Sequence, residues 1–176
     1  RPEYRDFLHW LDLREDEADP LVVLARTEGV RETDSLTVFP CPERDLDGNY
    51  VVHFFSHGLR YLPSEARIRI SKLHSGERLY RMPDPQNPHD GYAIALRTDD
   101  PATIVGYCPR YISGDFLEVL ENRPDSIDVR VKRVNAEAPM QLRLLCTLTA
   151  DWPENFKPCS SDLYTELSHD KESTPA

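Results

Sequence analysis

Through most of this 176-residue chain, apolar residues recur at every second position in short runs that stop at turn-forming clusters. A period of two sets one face of an extended strand against a core and the other in water, so the chain is constrained to many short strands. Leu36 and Val38, then Tyr50, Val52 and Phe54, follow that period. Between them lie Pro40-Cys41-Pro42 and Asp45-Leu46-Asp47-Gly48-Asn49, a loop rich in turn formers, so residues 35–57 are predicted to form a β-hairpin with a long connection. Further strands are predicted at Arg67–Ile70, Arg78–Met82, Ala93–Arg97, Ile104–Cys108, Ile127–Val134 and Leu142–Thr149. Residues 113–121 are expected to form a short helix burying Phe116, Leu117 and Leu120. The fold class is therefore mainly β, in the α+β sense, as a barrel or sandwich with short helices.

The first residues obey a different period. Phe7, Leu8, Trp10 and Leu11 form one apolar stripe of an amphipathic helix, followed by an acidic stretch from Arg14 to Asp19. Asp19-Pro20 reads as an N-cap followed by Pro at the first helical position, opening a second helix through Leu24 and Arg26, with Gly29 as its stop. Helices this short need a surface to pack on. At the other end, Tyr164 to Leu167 suits one helical turn, and His169 to Ala176 reads as a frayed tail.

The net charge of −10 argues against a generic nucleic-acid binder, because phosphate contacts require Lys and Arg. The charge is uneven, however. Residues 1–55 carry −7 and residues 151–176 carry −4, while residues 56–150 carry +1, so the middle segment is where an anionic ligand is tolerated. Cys41, Cys108, Cys146 and Cys159 lack the close pairing of a zinc knuckle, and His53, His57 and His74 are scattered, so reduced thiols and no metal are expected. Apolar runs such as Leu21–Ala25 are too short to cross a bilayer. No basic-then-apolar leader opens the chain, which makes a cytoplasmic address the expectation. The opening Arg1, in place of Met, is compatible with a piece of a longer protein.

The most informative stretch is Asp84-Pro85-Gln86-Asn87-Pro88-His89-Asp90-Gly91-Tyr92-Ala93-Ile94, a turn-forming block that feeds straight into a strand. Upstream stands Gly58-Leu59-Arg60-Tyr61, and downstream Val105-Gly106-Tyr107-Cys108-Pro109-Arg110. In this order and spacing the three motifs resemble the HIRAN family, over roughly residues 52–150. That resemblance implies a small OB-fold-like barrel which, in relatives attached to SNF2-type fork-remodelling ATPases, clamps the 3′ end of single-stranded DNA. Carried over by position, Arg60 and Tyr61 would meet the terminal nucleotides. Asn87, His89 and Asp90 lie on the block that holds the last sugar and its 3′-hydroxyl, and Arg110 stands where a basic residue faces a phosphate. His89 replaces a frequent Tyr, and Met140 stands where an aromatic precedes the last strand; both remove stacking surface.

These residue types suit that chemistry. A tyrosine ring stacks on any base, at roughly 1–3 kcal/mol. A guanidinium grips phosphate with a planar fork. A carboxylate accepts from a free hydroxyl and repels a phosphate. The same residues also suit plainer roles: Arg60 as a surface ion-pair partner, Arg110 as a solvated strand-end charge, Tyr61 as a rim aromatic, Asn87 and Asp90 as turn caps.

No phosphate-binding loop, dinucleotide fingerprint, zinc-helix motif or nucleophile elbow occurs, and the carboxylate pairs Asp45/Asp47 and Asp99-Asp100 fall in turns. A non-enzymatic module with no cofactor is expected. Residues 1–51 form an extension packing on the barrel, 52–152 the barrel and 153–176 a tail. The leading function is the binding of single-stranded DNA 3′ ends in repair, fork processing or phage defence. The rival is a protein-interaction module docking onto a larger DNA-processing or defence effector.

Overall fold

A computed structural model describes residues 2–29, 37–161 and 164. Helix α1 (Pro2–Trp10) and helix α2 (Pro20–Arg26) come first, and Asp19 caps α2 by accepting from the Leu21 N–H at 2.8 Å. Helix α2 ends at Arg26 with Thr27 as its C-cap, ahead of the expected Gly29, and the left-handed turn that follows is made by Glu28 at φ 64° and Gly29 at φ 60°. Strand β1 (Asn49–Phe55), helix α3 (Ser64–Ser71), β2 (Arg78–Pro83), β3 (Ile94–Arg97) and β4 (Ile104–Tyr107) follow. Helix α4 (Arg110–Asn122), β5 (Asp128–Val134) and β6 (Leu144–Asp151) complete the set.

The six strands make one curled antiparallel sheet in the order β1-β6-β5-β2-β3-β4. It is a half-barrel with four short helices, consistent with an OB-fold-like barrel of the mainly β class. Alternate residues of every strand face inward, and Tyr50, Phe54, Ile94, Leu96, Leu144 and Leu148 are sealed in one core together with Ile112 and Phe116 from α4. A second, smaller cluster lies outside the sheet, where Leu11 packs on Phe55, Ala138, Leu142 and Leu145. The apolar stripe of α1 thus found its surface.

Three expectations are corrected. Residues 67–70 are not a strand but the middle of α3. Alternation over four residues cannot separate the two states; Ala66, Ile70 and Leu73, at helical spacing, go inside, and Ile68 is left 54% exposed. Residues 35–57 do not form the expected hairpin among the described residues: β1 pairs with β6 along one edge, and the other edge meets the preceding chain only at the isolated Arg44–Tyr50 bridge. Pro40 and Pro42 lack the N–H a ladder needs, and Phe39 instead stacks on Tyr111 at 4.5 Å. Only a tight turn survives there, with Asp45 Oδ1 accepting from the Asp47 and Asn49 N–H groups at 3.0 and 2.7 Å. Helix α4 runs longer than its expected core, opening directly after Pro109, and buries Phe116 and Val119 while Leu117 and Leu120 stay half-buried. The four cysteines are free thiols, with Cys108 and Cys146 in the core. The expected helical turn and tail beyond residue 164 lie outside the described residues, as does Leu36.

Candidate nucleic-acid interface

Strand β4 is an edge, and the way it is closed creates the site. Gly106, at φ +125°, has no room for a side chain: a Cβ there would sit 2.0 Å from Ser56 Oγ and 2.7 Å from the His57 carbonyl oxygen. That close approach lets the chain leaving β1 pair with β4. The His57 N–H donates to the Tyr107 carbonyl at 2.9 Å and the Tyr107 N–H returns the bond at 3.0 Å. The barrel is thereby bridged between its first and last strands in sheet order.

From that bridge the chain turns outward. Gly58 takes φ 78° and opens a 3₁₀ turn, Leu59–Tyr61, whose Leu59 is buried while Arg60 and Tyr61 face solvent. The Arg60 guanidinium lies 4.7 Å from the Tyr61 ring centroid, and the ring remains 76% exposed. A cation held over an aromatic face keeps both groups together on the surface. Among the described residues no carboxylate pairs with Arg60 or Arg110, so the ion-pair alternative for Arg60 is absent there. Arg110 opens α4 three residues after Tyr107 and is exposed.

The block at 84–92 is a web of Asx turns. Asn87 Oδ1 accepts from the His89 and Asp90 N–H groups at 3.0 and 3.3 Å, and its amide donates to Asp84 Oδ2 at 3.3 Å. Asp90 Oδ1 accepts from the Tyr92 N–H at 2.9 Å, and among the described residues no donor reaches its other oxygen. Asn87 therefore holds the turn, whereas Asp90 keeps acceptor capacity and His89 is exposed. The Tyr107 hydroxyl donates to Asp84 Oδ2 at 3.3 Å, tying this turn to the bridge. Burial and the Asp84 carboxylate push the Tyr107 hydroxyl above its ordinary pKa, so it stays a donor.

Tyr107 is thus the residue through which the three sequence motifs meet, a role its position in a strand did not reveal. Of two further features, Met140 was singled out in the sequence and Glu28 was not. Met140 lies in a 3₁₀ turn beside the Arg60–Tyr61 turn, lining a small cleft with Leu59, Arg67 and Arg143. Behind the bridge, the buried Glu28 accepts from His57 at 2.8 Å and from the Tyr111 hydroxyl at 3.4 Å, so the turn after α2 braces the site from behind. Among the described residues no group of His, Cys, Asp or Glu is arranged to hold a metal ion, and no helix is long and apolar enough to cross a membrane.

A bridged antiparallel sheet that displays an exposed cation–aromatic couple, linked through Tyr107 to a fixed polar turn, has the form of a binding surface. The HIRAN domain profile matches residues 49–152, and the chain belongs to the HIRAN domain family, known generally as a nucleic-acid-binding module. Two solved structures are similar. One is the HIRAN domain of human HLTF, 18% identical, covering 60% of this chain and 81% of that one at a TM-score of 0.44. The other is a protein from Lactobacillus plantarum, also 18% identical, covering 58% and 97% at a TM-score of 0.47. No curated protein matches the chain.

Proposed function

We propose that this chain is a non-catalytic clamp for the 3′-hydroxyl end of single-stranded DNA, serving repair, fork processing or phage defence. In this reading residues 52–152 form the binding barrel, residues 1–51 an extension that braces it and residues 153–176 a tail. The observation that carries the proposal is the exposed Arg60–Tyr61 couple, linked through Gly58, the His57–Tyr107 bridge and Asp84 to the Asp90 turn. Tyr61 offers a face for the terminal base, and Arg60 and Arg110 offer forks to the neighbouring phosphates. The unengaged oxygen of Asp90 accepts from a 3′-hydroxyl and repels a 3′-phosphate.

The test is fluorescence anisotropy with short single strands ending in 3′-hydroxyl or 3′-phosphate. Loss of one stacked base corresponds to roughly 5- to 150-fold in affinity, so Arg60→Ala/Tyr61→Ala should weaken the hydroxyl-ended strand by at least the lower figure. Equal binding of both ends, unaffected by that variant, overturns the proposal. A second reading, docking of a larger DNA-processing or defence protein, is favoured by one observation: α2 leaves Leu21, Val22 and Leu24 exposed, Leu21 by 72%. It predicts that changes on α2, and not at Arg60, abolish the chain's activity in its host.

A further inference from the structure

We infer that the outward face of the sheet, from β3 across β2 to β5, is a second nucleic-acid contact that carries the body of a single strand whose end sits at the turn of residues 84–92. The inference rests on the end-binding proposal for its polarity, but its evidence is separate. Strand β2 turns Leu79 into the core and sends Arg78, Tyr80 and Met82 outward. In register beside Tyr80 stands Arg97 of β3, and beside Arg78 stands Arg130 of β5. The guanidinium carbons of Arg78 and Arg97 lie 5.4 and 5.0 Å from the Tyr80 ring centroid, so the ring is flanked by two cations. Lys132 continues the row along β5, next to an open cavity of ≈ 250 Å³ lined by Gly76, Asp128, Arg130, Lys132, Thr147 and Thr149.

Four cations therefore lie on one sheet face of a chain whose net charge is −10. Two carboxylates answer them among the described residues. Asp128 accepts from Arg78 at 3.3 Å and from Arg130, and Asp12 accepts from Lys132 at 2.9 Å. Arg97 meets no carboxylate and spends one nitrogen on the Thr98 carbonyl oxygen at 2.9 Å. A solvated strand face in an acidic protein has no need of an aromatic flanked by cations. A face that tracks a polyanion needs both phosphate forks and a stacking ring. The row also has a direction: Met82 precedes the Asp84 turn, and Arg78 stands six residues upstream of Asp84, about 20 Å along an extended strand. A strand gripped by its end at the turn would run from there along β2 towards Arg130 and the threonine-lined cavity.

The test compares a 3′-hydroxyl trinucleotide with a 12-nucleotide strand of the same 3′ sequence over a range of salt. Wild type should bind the longer strand at least tenfold more tightly. Arg78→Gln/Arg97→Gln/Arg130→Gln should remove that gain, lower the salt slope by about 2, at roughly 0.7 per phosphate contact, and leave trinucleotide binding unchanged. Thr147→Glu, which sets a carboxylate directly across from Arg130 on the same face without substituting an arginine, gives a second route should the triple variant melt early. Retention of the length-dependent gain in both variants overturns the inference while the end-binding proposal stands. Loss of the gain in a protein that never distinguishes its 3′ ends supports this face and overturns the end clamp. Absence of binding to every strand, even at low salt, overturns both.

Discussion

His53 gives the most direct energetic test of how the α1–α2 segment is held to the barrel. It lies on the outward side of β1, with Nδ1 3.0 Å from Thr147 Oγ1 and Nε2 3.1 Å from the Lys132 ammonium. Burial, then Lys132 and Arg26, push its pKa from 6.5 down to about 4, and the nearby Asp12 carboxylate offsets only part of this. The folded pKa is below the unfolded one, so the unfolded chain binds the proton more readily between those values. Stability is therefore full above about pH 6.5 and is lost as pH falls towards about 4. At about 1.4 kcal/mol per tenfold change in proton affinity the shift is worth roughly 3 kcal/mol, and partial exposure reduces this to roughly 2 kcal/mol. Asp12 also titrates in the acid limb. Burial would raise its pKa, but Lys132 and Arg133 hold it below the ordinary 3.8, so its contribution is lost at still lower pH. Urea unfolding of wild type and His53→Asn at about pH 7 and about pH 4.5 separates the two. Asn can still meet Thr147 from the position of Nδ1 but cannot titrate, so the variant should lose roughly 2 kcal/mol less than wild type on acidification. Equal losses in the two proteins would refute the reasoning.

Gly106→Ala should cost about 2–4 kcal/mol in urea unfolding, because its Cβ collides with Ser56 and the His57 carbonyl at a backbone angle that L-residues avoid; a cost below about 1 kcal/mol would mean the closure yields without strain. Leu11→Ala should cost about 2–4 kcal/mol, since Leu11 is fully buried against Phe55 and Leu145. A melting curve that does not move would show α1 to be loosely attached.

The strands were legible because a period of two survives wherever one face is buried, as at Tyr50, Val52 and Phe54. The failures came where that rule is weakest. Four alternating residues at 67–70 fit a helix as well, and burial of Ala66 and Ile70 decided between them. Residues 37–43 carry apolar side chains, but their prolines cannot donate to a ladder, and aromatic stacking on α4 took them instead. The three site motifs were visible as strings, yet nothing in them says that Gly106 must admit the His57 backbone or that Tyr107 reaches Asp84. Arg78, Tyr80, Arg97 and Arg130 come from three strands, and only the register of the sheet puts them side by side.

The tension between a net charge of −10 and a nucleic-acid role eases once distance is considered. At physiological salt a charge is screened beyond about 8 Å, so the net charge of the whole chain weighs less than the arginines that no carboxylate pairs among the described residues. Closure and recognition share one joint. The His57–Tyr107 bridge shuts the sheet edge, aims the Arg60–Tyr61 turn and, through the Tyr107 hydroxyl, anchors the Asp84 turn. Damage to the joint should therefore cost stability and binding together, as in Gly106→Ala. Truncation of the exposed Arg60 and Tyr61 side chains should cost binding alone. That contrast separates residues that build the site from residues that touch the ligand, and it follows from where the buried bonds lie.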